Sequence, residues 1–193
     1  MLEILNRVEA ALLPMLDNES AWESLNINYH RPFVERLWLP MRVDDQRIRV
    51  HLHRIYPCQS QDVLFHPHPW PSAMRIVRGA YEMGIGVERD YNVPPTVSTR
   101  IVGQRGMAYE MLDPNVWHYV RPLSNANVLA LMVTGEPWPA DVVRSNPNPP
   151  KAKLGELGPT QIKQILSLFK GFYQLRAKEL ISLLDDRGEP QCT

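Results

Sequence analysis

The stretch 65–79, "FHPHPWPSAMRIVRG", contains two histidines one residue apart, set among prolines and followed by a strand-like run that ends at a glycine. Successive side chains of a strand point to opposite faces, so His66 and His68 are predicted to lie side by side on one face. Pro67 and Pro69 have no N–H to donate to a neighbouring strand. This strand is therefore predicted at the mouth of a barrel or at a sheet edge.

Further short strands are predicted on both sides of this stretch. The segment 47–56 alternates apolar and polar residues, which is the period of a strand, and places His51 and His53 on its polar face. We expect that face to be in solvent; if the barrel interior is polar here, the pair would instead approach the site. The other strands are predicted at 63–68, 73–78, 81–88, 97–102, 108–112, 117–120 and 128–133. Short strands at this spacing, separated by turn residues and not by helices, predict an all-β sandwich or barrel.

Helical periodicity marks the two ends of the chain. Leucines along 2–17 form an apolar stripe, and Pro14 is expected to bend or end this helix. The segment 17–25, "DNESAWESL", predicts a second short helix. A longer helix is predicted to begin at Pro159, which suits a first turn, and to end just before Gly188.

These patterns divide the chain into four parts. They are an N-terminal helical segment over 1–30, a β-barrel over 31–135, a proline-rich strap over 136–158 and a C-terminal helix over 159–187. The apolar face of the last helix is expected to pack on the barrel or on a dimer partner. Together with exposed sheet edges, this face makes a homodimer the expected assembly.

The composition excludes several classes of protein. Lys+Arg and Asp+Glu both number 21, so no basic surface of the kind that binds nucleic acid or an anionic membrane is expected. The longest apolar run is shorter than the ~18 residues of a membrane span, and the N-terminus lacks the pattern of a signal peptide. The only cysteines are Cys58 and Cys192, which predicts a reducing, cytoplasmic location. The expected partner is a small-molecule substrate.

The paired histidines are candidates for metal binding, because neutral imidazole is a common ligand for zinc, iron, copper and nickel. Two histidines hold a catalytic metal poorly, so a third ligand from another strand is expected. The remaining histidines are His30, His51, His53 and His118. His118 follows a turn at 113–115 and begins an apolar strand, a good position from which to face a barrel interior. His30 is expected at the surface or as a cap.

The sequence resembles the cupin superfamily in the spacing of these residues. The first cupin motif is Gly, five residues, His-x-His, three or four residues, Glu, six residues, Gly. His66, His68 and Gly79 keep this spacing, and Ser72 stands where the motif has glutamate. The resemblance covers about residues 45–135.

The second cupin motif, Pro-x-Gly, two residues, His, three residues, Asn, is kept in part. Pro114 and His118 correspond to its proline and histidine, and Pro122 stands where the motif has asparagine. The resemblance implies a barrel in which His66, His68 and His118 share one metal ion. It also implies the fold class: mainly β, a cupin-type jelly roll with an N-terminal helix, or two, and a long C-terminal helix.

A site of three histidines without a carboxylate resembles the cysteine and thiol dioxygenase branch of the cupins. Those enzymes use ferrous iron, so the resemblance implies one divalent metal ion, with Fe(II) favoured and Zn, Ni or Mn as alternatives. Glu82 lies too far along the sheet to replace the missing glutamate, and Glu110 is a weak candidate.

Residues near the motifs are candidates for the rest of a site. Those proposed to handle protons are Tyr109 and Glu110, and those expected to line a pocket are Trp70, Ser72, Met74, Tyr81 and Trp117. The candidates for binding a substrate carboxylate are Arg49, Arg75 and Arg121.

These features favour a metal-binding cupin that acts as a mononuclear non-haem iron oxygenase on a small thiol- or carboxylate-containing molecule. Two alternatives stay open: a metal-dependent isomerase or lyase, and a non-catalytic cupin that binds a small ligand. The missing glutamate and the incomplete second motif favour the non-catalytic alternative.

Overall fold

The structure is a computed structural model that describes residues 1–90, 93–139 and 153–185. Two α-helices flank the strands: α1 (Leu2–Met15) and α2 (Pro159–Asp185). The strands are β1 (Glu23–Ile27), β2 (Val34–Val43), β3 (Gln46–Ile55), β4 (His66–Pro67), β5 (Ser72–Arg78), β6 (Ala80–Val87), β7 (Ser98–Gln104), β8 (Ala108–Met111), β9 (Val116–Pro122) and β10 (Val128–Thr134).

The strands form two antiparallel sheets with the connectivity of a jelly roll. One sheet has the order β1-β2-β3-β10-β5-β8 and the other the order β4-β9-β6-β7. The eight strands from β3 to β10 make the two facing sheets of the roll, and the β1–β2 hairpin extends the first sheet beyond β3. Gly79 makes the turn between β5 and β6 with φ of 89°, a conformation that favours glycine. The predicted fold class, a mainly β, cupin-type jelly roll with terminal helices, is confirmed.

The predicted second helix over 17–25 is wrong. Glu19–Ala21 form one 3₁₀ turn, and the chain then enters β1, which pairs along its whole length with β2. Trp22 is buried, and its Nε1 donates a hydrogen bond to the carbonyl oxygen of Met15 at 3.1 Å. So short a helix is marginal by itself, and pairing with β2 and burial of Trp22 outweigh its local propensity. The segment 1–30 is therefore only partly helical.

From residue 50 to residue 55, strand β3 is buried on both faces, which corrects the expectation that His51 and His53 lie in solvent. Its apolar residues, such as Val50 and Leu52, face outward into a core shared with both helices. His51 and His53 point into the barrel and are each only 4% exposed. Helices cover the outer face of this sheet, so the polar alternate positions become the interior.

Helix α2 packs on its own barrel. Ile165 and Phe169 are fully buried in the core that also holds α1 and β3. Gln161 donates a hydrogen bond from Nε2 to Oε1 of Glu35 on β2 at 2.7 Å, and Glu35 also pairs with Arg54 of β3. In the described part of the chain, neither helix is long and apolar enough to cross a membrane.

The predicted strap lies partly outside the described residues. Gly188 and Cys192 lie outside them altogether. The part over 153–158 runs beside β1, where Asn26 donates its backbone N–H to the carbonyl oxygen of Gly155 at 2.9 Å. Leu157 is buried in the core beneath the helices, and its N–H donates to Oγ of Ser24 at 3.0 Å. This segment therefore attaches α2 to the edge of the extended sheet.

Replacing Phe169 with alanine should destabilise the protein by about 3–5 kcal/mol, because it leaves a cavity between α2 and the sheet. Leu175 of the same helix is 63% exposed, so Leu175→Ala is a matched control that should change stability by less than about 0.5 kcal/mol. Urea unfolding followed by circular dichroism measures both. Equal effects of the two substitutions would contradict the packing of α2 on this barrel.

Candidate metal centre

Three histidines meet where β4 pairs with β9. His66 lies directly opposite His118 in this pairing, and Pro67 lies opposite Trp117. One ring nitrogen from each of His66, His68 and His118 lies within 4.8 Å of the others. The Nε2 atoms of His68 and His118 are 3.0 Å apart. We call these three residues the histidine triad, and the structure brings them together as the sequence predicted.

The hydrogen bonds of the triad leave nitrogen lone pairs for a metal. Nδ1 of His66 donates to the carbonyl oxygen of Leu64 at 3.1 Å, which fixes the tautomer and leaves Nε2 as the acceptor. The Nδ1 atoms of His68 and His118 are buried without a hydrogen-bond partner. The donor and the acceptor in the contact between Nε2 of His68 and Nε2 of His118 depend on the tautomers; when both protons are on Nδ1, two lone pairs meet at one point, an arrangement that a shared cation satisfies.

Burial keeps the triad neutral. Desolvation lowers the pKa of His66 to about 4. Desolvation, reinforced by His118 and His66, holds the pKa of His68 well below its usual value, and burial does the same to the pKa of His118. Metal ligation needs the neutral imidazole, so the triad is in the binding form at neutral pH.

The donor set fits one divalent metal ion. Three imidazole nitrogens suit iron, zinc, nickel or copper, and coordination positions remain for a small ligand. Ser72, at the position of the motif glutamate, is 1% exposed and has no charge to add. Among the described residues, no carboxylate joins the cluster.

The two glutamates considered as replacements for the motif glutamate, Glu82 and Glu110, both lie outside the triad. Glu82 accepts a hydrogen bond from the hydroxyl of Tyr119 at 3.0 Å and pairs with Arg121 at 3.4 Å. Glu110 pairs with the N-terminal amine of Met1 at 3.2 Å. The structure thus agrees that Glu82 is no substitute ligand, and it places Glu110 away from the triad.

The triad lies in the wall of a cavity of about 250 Å³ between the two sheets. Most of the lining is apolar, and it comes from β1, β2, β3, β4, β5, β9 and the segments beside them. Of the predicted pocket residues, Trp70 and Met74 line this cavity. A drug-sized pocket is about 300–1,000 Å³, so this cavity suits a small molecule.

The other predicted pocket residues do not line the cavity. The hydroxyls of Tyr81 and Tyr109 are 3.0 Å apart, and both donate toward Sδ of Met74, behind the lining. Burial raises the pKa of Tyr109 to about 12, which makes it a poor proton donor. Trp117 precedes His118 and so points to the opposite face of β9, where its Nε1 donates to the carbonyl oxygen of Glu88 at 3.1 Å.

Several polar residues of the cavity were not predicted as site residues. Arg36, His53 and His30 are among them, and all line it. Nε of Arg36 donates to Nε2 of His53 at 2.9 Å, and the ring of His30 lies 5.7 Å from the ring of His66. His30 was expected at the surface or as a cap; it is half-buried and lies at the cavity beside the triad. The stretch 34–38, "VERLW", does not alternate apolar and polar residues, so no period-two pattern could have placed Arg36 inward.

The arginines considered for a substrate carboxylate all have other contacts. Arg75 pairs with Glu9 at 3.0 Å, and Arg121 pairs with Glu82. The guanidinium of Arg49 lies 5.2 Å from the ring centre of Trp38. None of the three lines the cavity. Arg36 is the arginine that does.

Several solved structures are similar to parts of this chain. Hydroxypropylphosphonic acid epoxidase from S. wedmorenis has a TM-score of 0.43 and 10% identity, over 61% of this chain and 56% of that one. A crystal structure of Fe(II) HppE has a TM-score of 0.43 and 10% identity, over 61% of this chain and 57% of that one. The Schizosaccharomyces pombe Cnp3 cupin domain has a TM-score of 0.40 and 7% identity, over 53% of this chain and 64% of that one.

The matched part covers less than two thirds of each of those chains. At these values the likeness says nothing about what this chain binds or does. No protein-family model and no curated protein matches the sequence.

Wild-type protein should bind one divalent metal ion per chain, and His118→Ala should abolish the stoichiometric binding, because it removes one of three donors. His51→Gln is the matched control: His51 is an equally buried histidine that bonds to Thr134 at 3.1 Å and lies outside the triad. Metal content after dialysis, measured by mass spectrometry, tests this. Retention of metal by His118→Ala, or its equal loss from His51→Gln, would show that the metal lies elsewhere.

The metal-free protein should lose stability as the pH falls from about 6.5 toward 4. In this range the unfolded chain takes up protons at histidines that the folded state keeps neutral, so the free energy of unfolding rises with pH. Each such histidine contributes at most about 1.4 kcal/mol per pH unit. Urea unfolding at a series of pH values measures the slope. A free energy of unfolding that stays constant from pH 7 to pH 5 would contradict the neutral, buried state.

Proposed function

We propose that the protein is a metal-dependent cupin and that, with Fe(II) in the histidine triad, it acts as a mononuclear non-haem oxygenase on a small thiol- or carboxylate-containing molecule. The observation that carries the proposal is the position of the triad, three neutral nitrogen donors in the wall of a small, largely apolar cavity. Fe(II) bound there would supply the redox chemistry with dioxygen.

The residues of the chain bind and orient the substrate in this proposal. Trp70 and Met74 give an apolar wall that excludes water from the substrate. The tautomer of His66, fixed by Leu64, keeps its Nε2 lone pair directed away from the strand. Arg36 supplies a fixed positive charge at the cavity.

The lining gives little support to a lyase or isomerase, which needs a strong general base. No carboxylate lines the cavity within the described residues. Desolvation lowers the pKa values of both His30 and His53, so each is a weak base. Oxygenase chemistry takes its driving force from dioxygen and depends less on such a base.

A non-catalytic cupin that binds a small ligand is the second candidate. The observation that favours it is that Tyr109 and Glu110, the proposed proton-handling residues, both lie away from the cavity lining. In that case the triad and the cavity would still bind a metal and a ligand, and no substrate would be turned over.

Oxygen uptake distinguishes these functions. Protein reconstituted with Fe(II) should consume dioxygen when a small thiol such as 3-mercaptopropionate is added, while protein loaded with Zn²⁺ should not, because Zn²⁺ has no redox chemistry. His118→Ala treated with Fe(II) should be as inactive as the zinc protein. Stoichiometric iron without substrate-dependent uptake across small thiols and carboxylates would exclude the oxygenase and leave the ligand-binding barrel.

A further inference from the structure

The lining of the cavity carries basic groups and, among the described residues, no acidic one. Its described part contains an arginine and five histidines, and no aspartate or glutamate. A divalent metal ion held by three neutral imidazoles keeps its full charge, because the ligands bring none. With Arg36 beside it, the loaded cavity therefore has an uncompensated positive charge in an apolar surrounding.

Arg36 is held in a position from which its guanidinium can bind an anionic ligand in the cavity. It lies on β2 directly across from His53 of β3, and its Nε donates to Nε2 of His53 at 2.9 Å. That contact uses one donor of the guanidinium and leaves the terminal nitrogens for a ligand. Burial lowers the pKa of Arg36 to about 10, which still leaves it charged at neutral pH.

The rest of the cavity favours an apolar molecule. Ile27, Val34, Ile55 and Val120 line it, as do Trp70 and Met74. The described lining offers no carboxylate to pair with an ammonium group. An amino acid that entered would bury its ammonium without a counter-charge, which is costly in such a place.

We propose that the cavity selects small apolar organic anions without an amino group, that Arg36 binds their anionic group as the specificity-determining residue, and that zwitterionic amino acids are rejected. This inference rests on the proposed function in placing the substrate beside the histidine triad. It adds the chemical class of that substrate. His53 holds the guanidinium in position from the neighbouring strand.

Calorimetric titration of the Zn²⁺-loaded protein tests this without any turnover. The probes are 4-methylpentanoate, its neutral amide and leucine, which is the same acid with an α-amino group. The carboxylate should bind at least about tenfold more tightly than the amide or leucine, since each lacks the anion–arginine contact or buries an unpaired ammonium.

Variants then assign the effect to Arg36. Arg36→Gln should weaken binding of 4-methylpentanoate by about 10- to 100-fold, and Arg36→Lys should restore part of the loss by returning the charge. Arg121→Gln is the matched control, because Arg121 pairs with Glu82 and does not line the cavity. Thermal melts of each variant confirm that it is folded, and if Arg36→Gln does not fold, Arg36→Lys with its single-point geometry takes its place.

Three results would overturn the inference: no binding of 4-methylpentanoate to the wild type, equal binding of leucine, or equal losses in the Arg36 and Arg121 variants. None of these depends on iron or oxygen. If the iron protein consumes no oxygen while Arg36→Gln loses the probe, the oxygenase proposal fails and the anion site remains.

Discussion

The structure depends on one constraint, that β3 is buried on both faces from residue 50 to residue 55. Its outward side chains, Val50 and Leu52, pack under α1 and α2, so apolar burial is supplied outside the barrel. The interior face is then free to hold polar groups such as His51 and His53 at little cost to the main core. In a barrel without covering helices, the interior would have to be the core. The two terminal helices therefore make a largely apolar cavity that also holds buried histidines and an arginine compatible with a stable fold.

The cavity also depends on an addition to the jelly roll. The triad comes from β4, β9 and the residue after β4, all in or next to one sheet. The hairpin β1–β2 extends the facing sheet, and it contributes Ile27, Val34 and Arg36 to the opposite wall. The segment 153–158 in turn covers the edge of β1, and Leu154 reaches the lining. If the triad binds the metal and Arg36 selects the ligand as proposed, metal ligation lies in the roll itself and binding specificity in its extension.

The sequence predicted the roll and the triad because both signals are local. Alternation fixes that His66 and His68 share a face, and the motif spacing identifies His118. Prediction from the sequence failed where contacts between distant parts of the chain decide which face of a strand is buried. The two faces of β3 were recognisable, but which face is solvated depends on contacts with α1 and with α2. Helix α2 begins more than a hundred residues after β3 and contacts it through the bond between Arg54 and Gln164. Arg36 was overlooked for the same reason, since its role appears only once β2 is paired with β3.

Ser72 at the position of the motif glutamate and Arg36 in the cavity lining have the same electrostatic effect: both leave the cavity positively charged when a metal ion is bound. A glutamate ligand would cancel one charge of the metal, and Ser72 in its place cancels none. Two unit charges 4 Å apart attract by about 1 kcal/mol in water and by about 4 kcal/mol at an effective dielectric constant of 20. The larger value is the one for pairs near a protein surface, so a charge supplied by the ligand can compensate that of the metal. An anion that binds beside the triad then raises the affinity for the metal by the same factor as the metal raises the affinity for the anion. If an anion binds beside the triad as proposed, occupancy of the metal site therefore depends on the presence of that anion.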